Sequence, residues 1–214
     1  RSPLPAWKGE PFLLCVAQHR RNKNVLLAVE VFRRLLLNGD IRPSALLVVI
    51  GIEGPETAHI HQRIDSAGLA RQVVLLHGVS DPELQWCYGH CELLIAPSIV
   101  EGFGLPIVEA MLHHCKVVCS DIPAFREVGG GYCHYASLRY PAEDAFVQSV
   151  RTSLTNIKFR PPATHRFSAP RVAEAYLQLY AHLLDGHTVI GSCGNCDLVR
   201  SSEREGENDH EHSH

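Results

Sequence analysis

Short apolar runs alternate with segments of helical spacing along most of the chain, and this alternation constrains the fold more than any single residue does. Buried strands are expected at 12–17, 45–50, Val73–Leu76, 92–96 and 116–119, with a short sixth strand near 132–135. Continuous apolar strands are typical of parallel sheets that helices cover on both faces. The sequence therefore predicts an α/β fold, a Rossmann-like doubly wound parallel sheet.

The segments between these runs carry helix signals. Helices are expected over 23–37, 56–67, 105–114, 142–156 and 169–184, and a further short helix from Asp81. Asp81 is a suitable N-cap for that short helix, and Pro82 suits its first turn. Sheets of this kind bind ligands beyond the carboxyl ends of their strands. The candidate site is therefore expected in the loops 18–23, 51–55, 77–81, 97–105 and 120–124.

Charge and hydropathy exclude two classes of protein. The 214 residues have a net charge of −3, and residues 197–214 hold six acidic and two basic side chains, a balance of −4. Residues 1–196 therefore carry about +1, because −3 − (−4) = +1. A net charge this close to zero does not suit a protein that binds nucleic acid through a basic face. The longest aliphatic run, 45–50, is too short to span a bilayer, so no transmembrane segment is expected.

Eight cysteines are present, and most of them lie among apolar neighbours. This context favours buried free thiols in a reducing, cytoplasmic compartment over a disulfide scaffold. Cys193 and Cys196 form a C-x2-C pair that could bind zinc with His210, His212 and His214. The polar, aperiodic stretch between these two groups favours a disordered, acidic and His-rich tail over 186–214 instead, with no metal site.

The ends of the chain suggest an excerpt or a processed product. The single methionine is Met111, so no initiator is present. Residues 1–11 carry three prolines and no periodicity, which favours a linker that follows something upstream.

The loop after the fourth expected strand carries most of the chemistry. Residues 97–111 read PSIVEGFGLPIVEAM, in which Glu101 and Glu109 stand eight positions apart on either side of a glycine-rich turn. Gly102 and Gly104 allow the backbone to approach a ligand closely. The unpaired N–H groups at the following helix start favour an anion. Carboxylates placed there are suitable acceptors for ligand hydroxyls, as on a ribose or a sugar.

The loop after the first strand supplies the opposite charge. It reads AQHRRNKN and places Arg20, Arg21 and Lys23 directly after the strand. Cations are suited to a diphosphate, so the two loops together indicate a nucleoside diphosphate joined to a sugar. The alternatives are solvated surface charges or a glycosidase pair of carboxylates. A nicotinamide-binding domain is disfavoured because no G-x-G-x-x-G follows the first strand.

The segment PSIVEGFGLPIVEAM resembles the E-x7-E signature of the family 4 retaining glycosyltransferases, which have the GT-B fold. The resemblance extends in order from about residue 12 to 180. FLLCVAQHRRNKNV is similar to the family's first strand and phosphate loop, and VVCSDIPAFREVGG to the segment that follows the signature. The resemblance implies that the chain is one lobe of a GT-B fold.

The resemblance implies a role for each matching residue. Glu101 is expected at the donor sugar, where it would stabilise or attack the anomeric centre, and Lys23 on the diphosphate, so both are candidate catalytic residues. Glu109 is expected on the ribose hydroxyls. The remaining substrate-binding candidates are the residues of the glycine turn, one arginine of the first loop and two residues near the base: Gly102, Phe103, Gly104, Leu105, Arg20, Gly78 and Val79.

Two departures from the family pattern stand in the first loop. The family often has glycine where Ala17 stands, and many members have arginine where Gln18 stands. Arg20 or Arg21 could compensate, and the sequence does not decide between them. The larger departure is that nothing here represents the acceptor lobe, which precedes the donor lobe in the family.

The chain is therefore expected to be a C-terminal donor lobe, with 12–185 as the donor-binding domain and 1–11 as the linker from a missing N-terminal lobe. The expected activity is retaining transfer of a hexose from a nucleoside-diphosphate sugar, to a sugar, lipid or protein acceptor that the sequence does not identify. No metal or cofactor is required on this interpretation. The alternative is a non-catalytic nucleotide-sugar-binding module, or one subunit of a two-polypeptide glycosyltransferase.

Overall fold

The computed structural model describes residues 2–5, 7–155 and 167–184, and the chain divides into two units, Arg1–Phe167 and Ser168–His214. The described part of the first unit contains one parallel sheet in the order β3-β2-β1-β4-β5-β6. Its strands are β1 (Phe12–Val16), β2 (Leu46–Ile50), β3 (Val73–Leu76), β4 (Leu93–Ala96), β5 (Val117–Ser120) and β6 (His134–Ala136). The predicted fold class is confirmed.

Helices connect successive strands. The connecting helices are α1 (Val25–Leu37), α2 (Thr57–Ser66), α3 (Asp81–His90), α4 (Leu105–Leu112) and α5 (Pro123–Gly129), and α6 (Ala142–Thr155) follows β6. The second unit contributes α7 (Ala169–Leu184), which carries several exposed apolar side chains, including Tyr176 and Leu183. No helix in the described parts of the chain is long and apolar enough to cross a membrane.

Two apolar cores lie on the two faces of the sheet, because successive strand residues point to opposite sides. Leu13 and Cys15 of β1 belong to one core, together with residues of α1, α2 and α6. Phe12 and Leu14 belong to the other, together with residues of α3, α4 and α5. Burial on both faces explains why the strands read as continuous apolar runs.

The start of α3 differs from the expectation. Ser80, and not Asp81, is the N-cap, while Pro82 lies in the first turn as expected. The backbone N–H and the hydroxyl of Ser80 both donate to the carboxylate of Glu83, at 3.0 and 2.6 Å. The reason is the three-residue spacing between serine and glutamate, which forms a capping box.

Two further elements differ from the sequence expectation. The helix expected over 23–37 is divided, because Arg21–Lys23 form a 3₁₀ turn and Asn24, in the left-handed region at φ 53°, separates it from α1. Helix α5 follows β5 where only a loop was expected, and it begins at Pro123. Its seven residues are too few to show a clear helical period in the sequence.

The described residues before β1 pack against the rest of the first unit. Leu4 is buried, and the Trp7 ring meets the Trp86 ring edge-on at 4.9 Å. The Trp7 indole N–H donates to the carbonyl of Glu10 at 2.8 Å. That this segment continues from an upstream lobe stays a prediction, as does the extent of the donor-binding domain. The tail proposed for 186–214 lies outside the described residues.

The chain order reverses between β1 and β4, which are neighbours in the sheet. Strands β2 and β3 extend the sheet on one side of this pair, and β5 and β6 extend it on the other. The connections leave β1 and β4 in opposite directions, so a crevice opens beyond their carboxyl ends. The two loops with the strongest sequence signals both lie there.

Candidate functional site

The loops that follow β1 and β4 are joined by hydrogen bonds. The backbone N–H of Ile99 donates to the carbonyl of Asn22 at 2.7 Å, and the Asn22 side-chain amide donates to the carbonyl of Val100 at 3.5 Å. These contacts span the point where the chain order reverses. They place the cationic first loop directly against the loop that precedes α4.

Lys23 and Glu101 meet at this junction. The Lys23 ammonium nitrogen lies 2.6 Å from both carboxylate oxygens of Glu101, and the Ser98 hydroxyl donates to Oε1 of Glu101 at 2.8 Å. The Lys23 and Glu101 side chains are only 22% and 11% exposed, so the pair is shielded from solvent on most sides. Three contacts hold the Glu101 carboxylate in one orientation beside a lysine.

The glycine turn leads from Glu101 into α4. Gly104 is the N-cap of α4 at φ 98°, and a Cβ there would lie 2.9 Å from the Phe125 ring. Gly102 is different, because an added Cβ would meet nothing within 4 Å and its φ lies outside the left-handed region. The fold therefore requires glycine at position 104, whereas at position 102 the protein leaves space open.

These two glycines give a matched pair of tests. Gly104→Ala is expected to lower the free energy of unfolding by about 1–3 kcal/mol, because it combines backbone strain with a clash against Phe125. Gly102→Ala should leave stability within about 0.5 kcal/mol of wild type. If a ligand approaches the backbone at Gly102, that variant should nevertheless bind nucleoside diphosphate more weakly. Chemical denaturation and calorimetric titration measure the two effects, and unchanged binding by Gly102→Ala would contradict close approach there.

Glu109 lies just over one turn into α4 and is partly buried. Its Oε2 accepts a hydrogen bond from the Tyr88 hydroxyl of α3 at 2.8 Å. Within the described part of the chain, Oε1 of Glu109 has no hydrogen-bond partner. One oxygen of this carboxylate is thus fixed by the protein, while the other is open to an external donor.

The two arginines of the first loop are exposed. Arg20 and Arg21 form no ion pair with any carboxylate in the described ranges. Both line a cavity of about 330 Å³ that also includes His59 and Ile99. Glu56 also lines that cavity, whereas Lys23, Glu101 and Glu109 do not, so the two arginines line a cavity apart from the Lys23–Glu101 pair.

His19, in the same loop, is buried and faces the protein. Its Nδ1 lies 2.9 Å from the Thr57 hydroxyl, and the Thr57 oxygen also accepts the N–H of Gly54. Burial lowers the pKa of His19, against the opposing charge of Glu53. The histidine therefore ties the first loop to the start of α2.

The remaining sequence-predicted residues lie at the same edge of the sheet. Gly78 is exposed with φ 66°, and Val79 packs against the core just before α3. Phe103 and Leu105 are 47% and 61% exposed, which leaves apolar surface beside the glycine turn. In the described structure, neither Gly78 nor Val79 hydrogen-bonds to Lys23, Glu101 or Glu109.

Three residues that contact the predicted site were not identified from the sequence. Ser98 and Asn22 bind the Glu101 loop, and Tyr88 binds Glu109. Tyr88 is one of two buried residues of α3, and a buried phenol needs a hydrogen-bond partner, but the sequence alone does not show which tyrosine is buried. Ser98 stands three residues before Glu101, which was a weaker signal still.

Metal ligation finds no support among the described residues. Within 2–5, 7–155 and 167–184, no three His, Cys, Asp or Glu side chains are grouped so that they could hold a metal ion. The cysteines of these ranges carry free thiols. Cys193, Cys196 and the terminal histidines lie outside the described residues.

The chain-order reversal of the parallel sheet thus carries a cation, two carboxylates and a helix N-terminus, an arrangement that suits a phosphorylated ligand. The family described as "Glycosyl transferases group 1" matches residues 1–160. The chain belongs to this family, and its structural neighbours are GT-B glycosyltransferases.

Individual proteins that are similar to this chain carry glycosyltransferase names. The O-antigen chain mannosyltransferase RfbU of Salmonella typhimurium is 36% identical over 109 residues, which are 51% of this chain and 29% of RfbU. The C-terminal domain of the group 1 glycosyltransferase LpcC of Francisella tularensis aligns with TM-score 0.58 and 21% identity, covering 78% of this chain and 88% of that domain.

A third similar structure is Anabaena Alr3699/HepE, solved with UDP and glucose. It aligns with TM-score 0.60 and 19% identity, covering 83% of this chain and 49% of that protein. At this level of identity the likeness concerns the fold alone. The chain spans about a third of the length of curated relatives such as RfbU and the Escherichia coli O-antigen chain mannosyltransferase B, at 29% and 32%.

Proposed function

We propose that this chain is the donor-binding lobe of a retaining glycosyltransferase that uses a nucleoside-diphosphate sugar. The observation that carries the proposal is the Lys23–Glu101–Ser98 cluster, which lies at the chain-order reversal directly before the glycine turn and α4. A cation, a fixed carboxylate and a helix N-terminus at one point suit a ligand that carries both phosphate and hydroxyl groups.

Each part of the donor is assigned to a part of this edge. The diphosphate lies against the Lys23 ammonium and the backbone N–H groups from Gly102 to Leu105, and Arg20 adds charge from the first loop. Glu109 accepts the ribose hydroxyls through Oε1, the oxygen that the described residues leave open. Gly78 and Val79 contact the base through their backbone. Glu101 faces the donor sugar.

Lys23 contacts both Glu101 and the diphosphate in this scheme. Its ammonium nitrogen lies 2.6 Å from each carboxylate oxygen of Glu101. A diphosphate at the start of α4 shares the ammonium with Glu101, and the lysine then stabilises charge that develops on the leaving group as the glycosidic bond breaks. Glu101, still held by Ser98, stabilises the positive charge on the anomeric carbon. These protein cations take the place of a divalent metal, so the transfer is proposed to be metal-independent.

The acceptor and the other lobe belong to the rest of the enzyme. A complete site needs an acceptor lobe, either earlier in the same polypeptide or in a partner subunit. The LpcC domain supports the first arrangement, because it is described as a C-terminal domain. The relatives named as mannosyltransferases favour a hexose donor, and the free thiols favour the cytoplasm.

The second candidate is a subunit or module that binds nucleotide sugar without completing the reaction. Phe103 and Leu105 favour it as an interface, since both expose apolar surface beside the turn. The two candidates differ in where the acceptor lobe lies and not in donor binding. Addition of a second polypeptide that restores transfer would identify the subunit.

Calorimetric titration of the 214-residue chain with UDP-, GDP- and ADP-sugars tests the proposal. We expect weak binding of one nucleotide class, little transfer, and no dependence on a chelator such as EDTA. Glu109→Ala should weaken that binding, whereas Asp65→Ala, an exposed carboxylate on α2, should not. Failure of all three donor classes to bind would contradict the proposed function.

A further inference from the structure

Tyr88 is the residue that fixes Glu109. It lies on α3 and is only 2% exposed. Its hydroxyl donates a hydrogen bond to Oε2 of Glu109 on α4, at 2.8 Å. Its ring also stacks on the His113 ring at the end of α4, with centroids 5.8 Å apart and planes within 2°. The hydroxyl of Tyr88 therefore contacts α4 itself, and its ring contacts the C-cap of that helix.

The surroundings of the Tyr88 hydroxyl keep it the hydrogen-bond donor in this contact. Burial raises the pKa of Tyr88 far above its usual value, and the negative charge of Glu109 raises it further. The phenol consequently stays protonated and acts as a donor. A buried hydroxyl without a partner costs stability, so the tyrosine and the carboxylate depend on each other.

We propose that Tyr88 is a positioning residue for the nucleotide: by holding Oε2 of Glu109 it directs Oε1 at the ribose hydroxyls. This inference rests on the proposed function, because it assigns Glu109 to the ribose. Tyr88 itself does not touch the ligand in this arrangement. Its effect reaches the donor only through the orientation of one carboxylate.

A positioning role makes a different prediction from a role in packing alone. Without the hydroxyl, Glu109 keeps its charge but loses the fixed rotamer, so only contacts with the ribose hydroxyls should weaken. Packing damage would instead weaken the binding of every nucleotide equally. The ratio of affinities for a ribonucleotide and for its 2′,3′-dideoxy analogue separates the two roles.

The experiment titrates the full 214-residue chain with UDP, GDP and ADP and then with the 2′,3′-dideoxy analogue of whichever binds. Tyr88→Phe removes one oxygen and keeps the ring. It should weaken ribonucleotide binding about 3- to 10-fold, the worth of one hydrogen bond, and change dideoxynucleotide binding less than 2-fold. Glu109→Ala should remove the discrimination, and the double variant should bind like Glu109→Ala alone.

Tyr132→Phe is the matched control. Tyr132 belongs to the same apolar core and donates its hydroxyl to the carbonyl of Cys115 at 2.6 Å, without a hydrogen bond to Glu109. This variant should keep the wild-type ratio. The proposal is overturned if Tyr88→Phe weakens both nucleotides equally, or if its effect adds fully to that of Glu109→Ala.

A ligand-free measurement separates this proposal from the proposed function. In protein labelled with ¹³C at tyrosine Cζ, Glu109→Gln should shift the Tyr88 signal and leave the Tyr132 signal in place. That shift, together with no nucleotide binding by the wild type, would overturn the proposed function and the ribose role with it. Binding by the wild type with an unchanged ratio in Tyr88→Phe would overturn only the role of Tyr88.

Discussion

Lys23→Met is expected to weaken binding of nucleoside diphosphate by about 10- to 100-fold, the worth of a charge-assisted hydrogen bond in a partly buried site. Lys23 is 22% exposed and lies at the junction of the two loops, so little water is available to replace its ammonium. Its removal also leaves the Glu101 carboxylate facing the phosphates without a counterion. Repulsion between these anions adds to the loss.

Lys8→Met is the control for the Lys23 prediction. Lys8 is an exposed lysine before β1, so the substitution removes the same charge from the other end of the sheet. Its binding of diphosphate should stay within 2-fold of wild type. Calorimetry at two salt concentrations measures both variants. Equal affinities for Lys23→Met and Lys8→Met would contradict the assignment of Lys23 to the diphosphate.

Glu101→Gln is expected to slow sugar transfer on the order of 100-fold, while donor affinity changes much less. The amide keeps the shape of the side chain. Its oxygen can still accept the hydrogen bond that the Ser98 hydroxyl donates to Oε1 in the wild type. It no longer carries the charge that stabilises a positive anomeric carbon. The effect should therefore appear in kcat and not in the Kd of the donor.

Glu92→Gln is the matched control for Glu101→Gln. Glu92 directly precedes β4 and is exposed, whereas Glu101 follows the same strand at the opposite edge of the sheet. Steady-state transfer is measured with the acceptor lobe present. Unchanged kcat in Glu101→Gln would contradict a role at the donor sugar, and a large loss in Glu92→Gln would indicate that neutralising any carboxylate damages the protein.

The sheet could be predicted from the sequence because burial on both faces leaves an unbroken signal. Strand β3 has the predicted bounds, and the other strands match to within one or two residues. Helix α5 was missed because its seven residues are too few to show a helical period. A hydrophobic period in the sequence identifies a helix or strand only when the element is long enough for the period to repeat.

The candidate site contains residues that the sequence predicted and others that it did not. The structure brings Lys23 and Glu101 together, since the strands that precede them are neighbours in the sheet. Tyr88 and Ser98 were not predicted, because their contacts with the glutamates depend on packing between elements. A side chain that acts through another leaves no motif of its own. The roles of all these residues in binding and transfer remain predictions.

The most direct measurement is a titration of ¹⁵N-labelled chain with the preferred nucleoside diphosphate, followed at individual backbone amides by NMR. We expect the amides of Lys23, Gly102, Gly104 and Leu105 to shift together and to saturate at one Kd. The parent nucleoside, which lacks phosphate, should shift them far less. Saturable shifts confined to residues outside the loops after β1 and β4, or no shifts at millimolar nucleotide, would contradict this expectation.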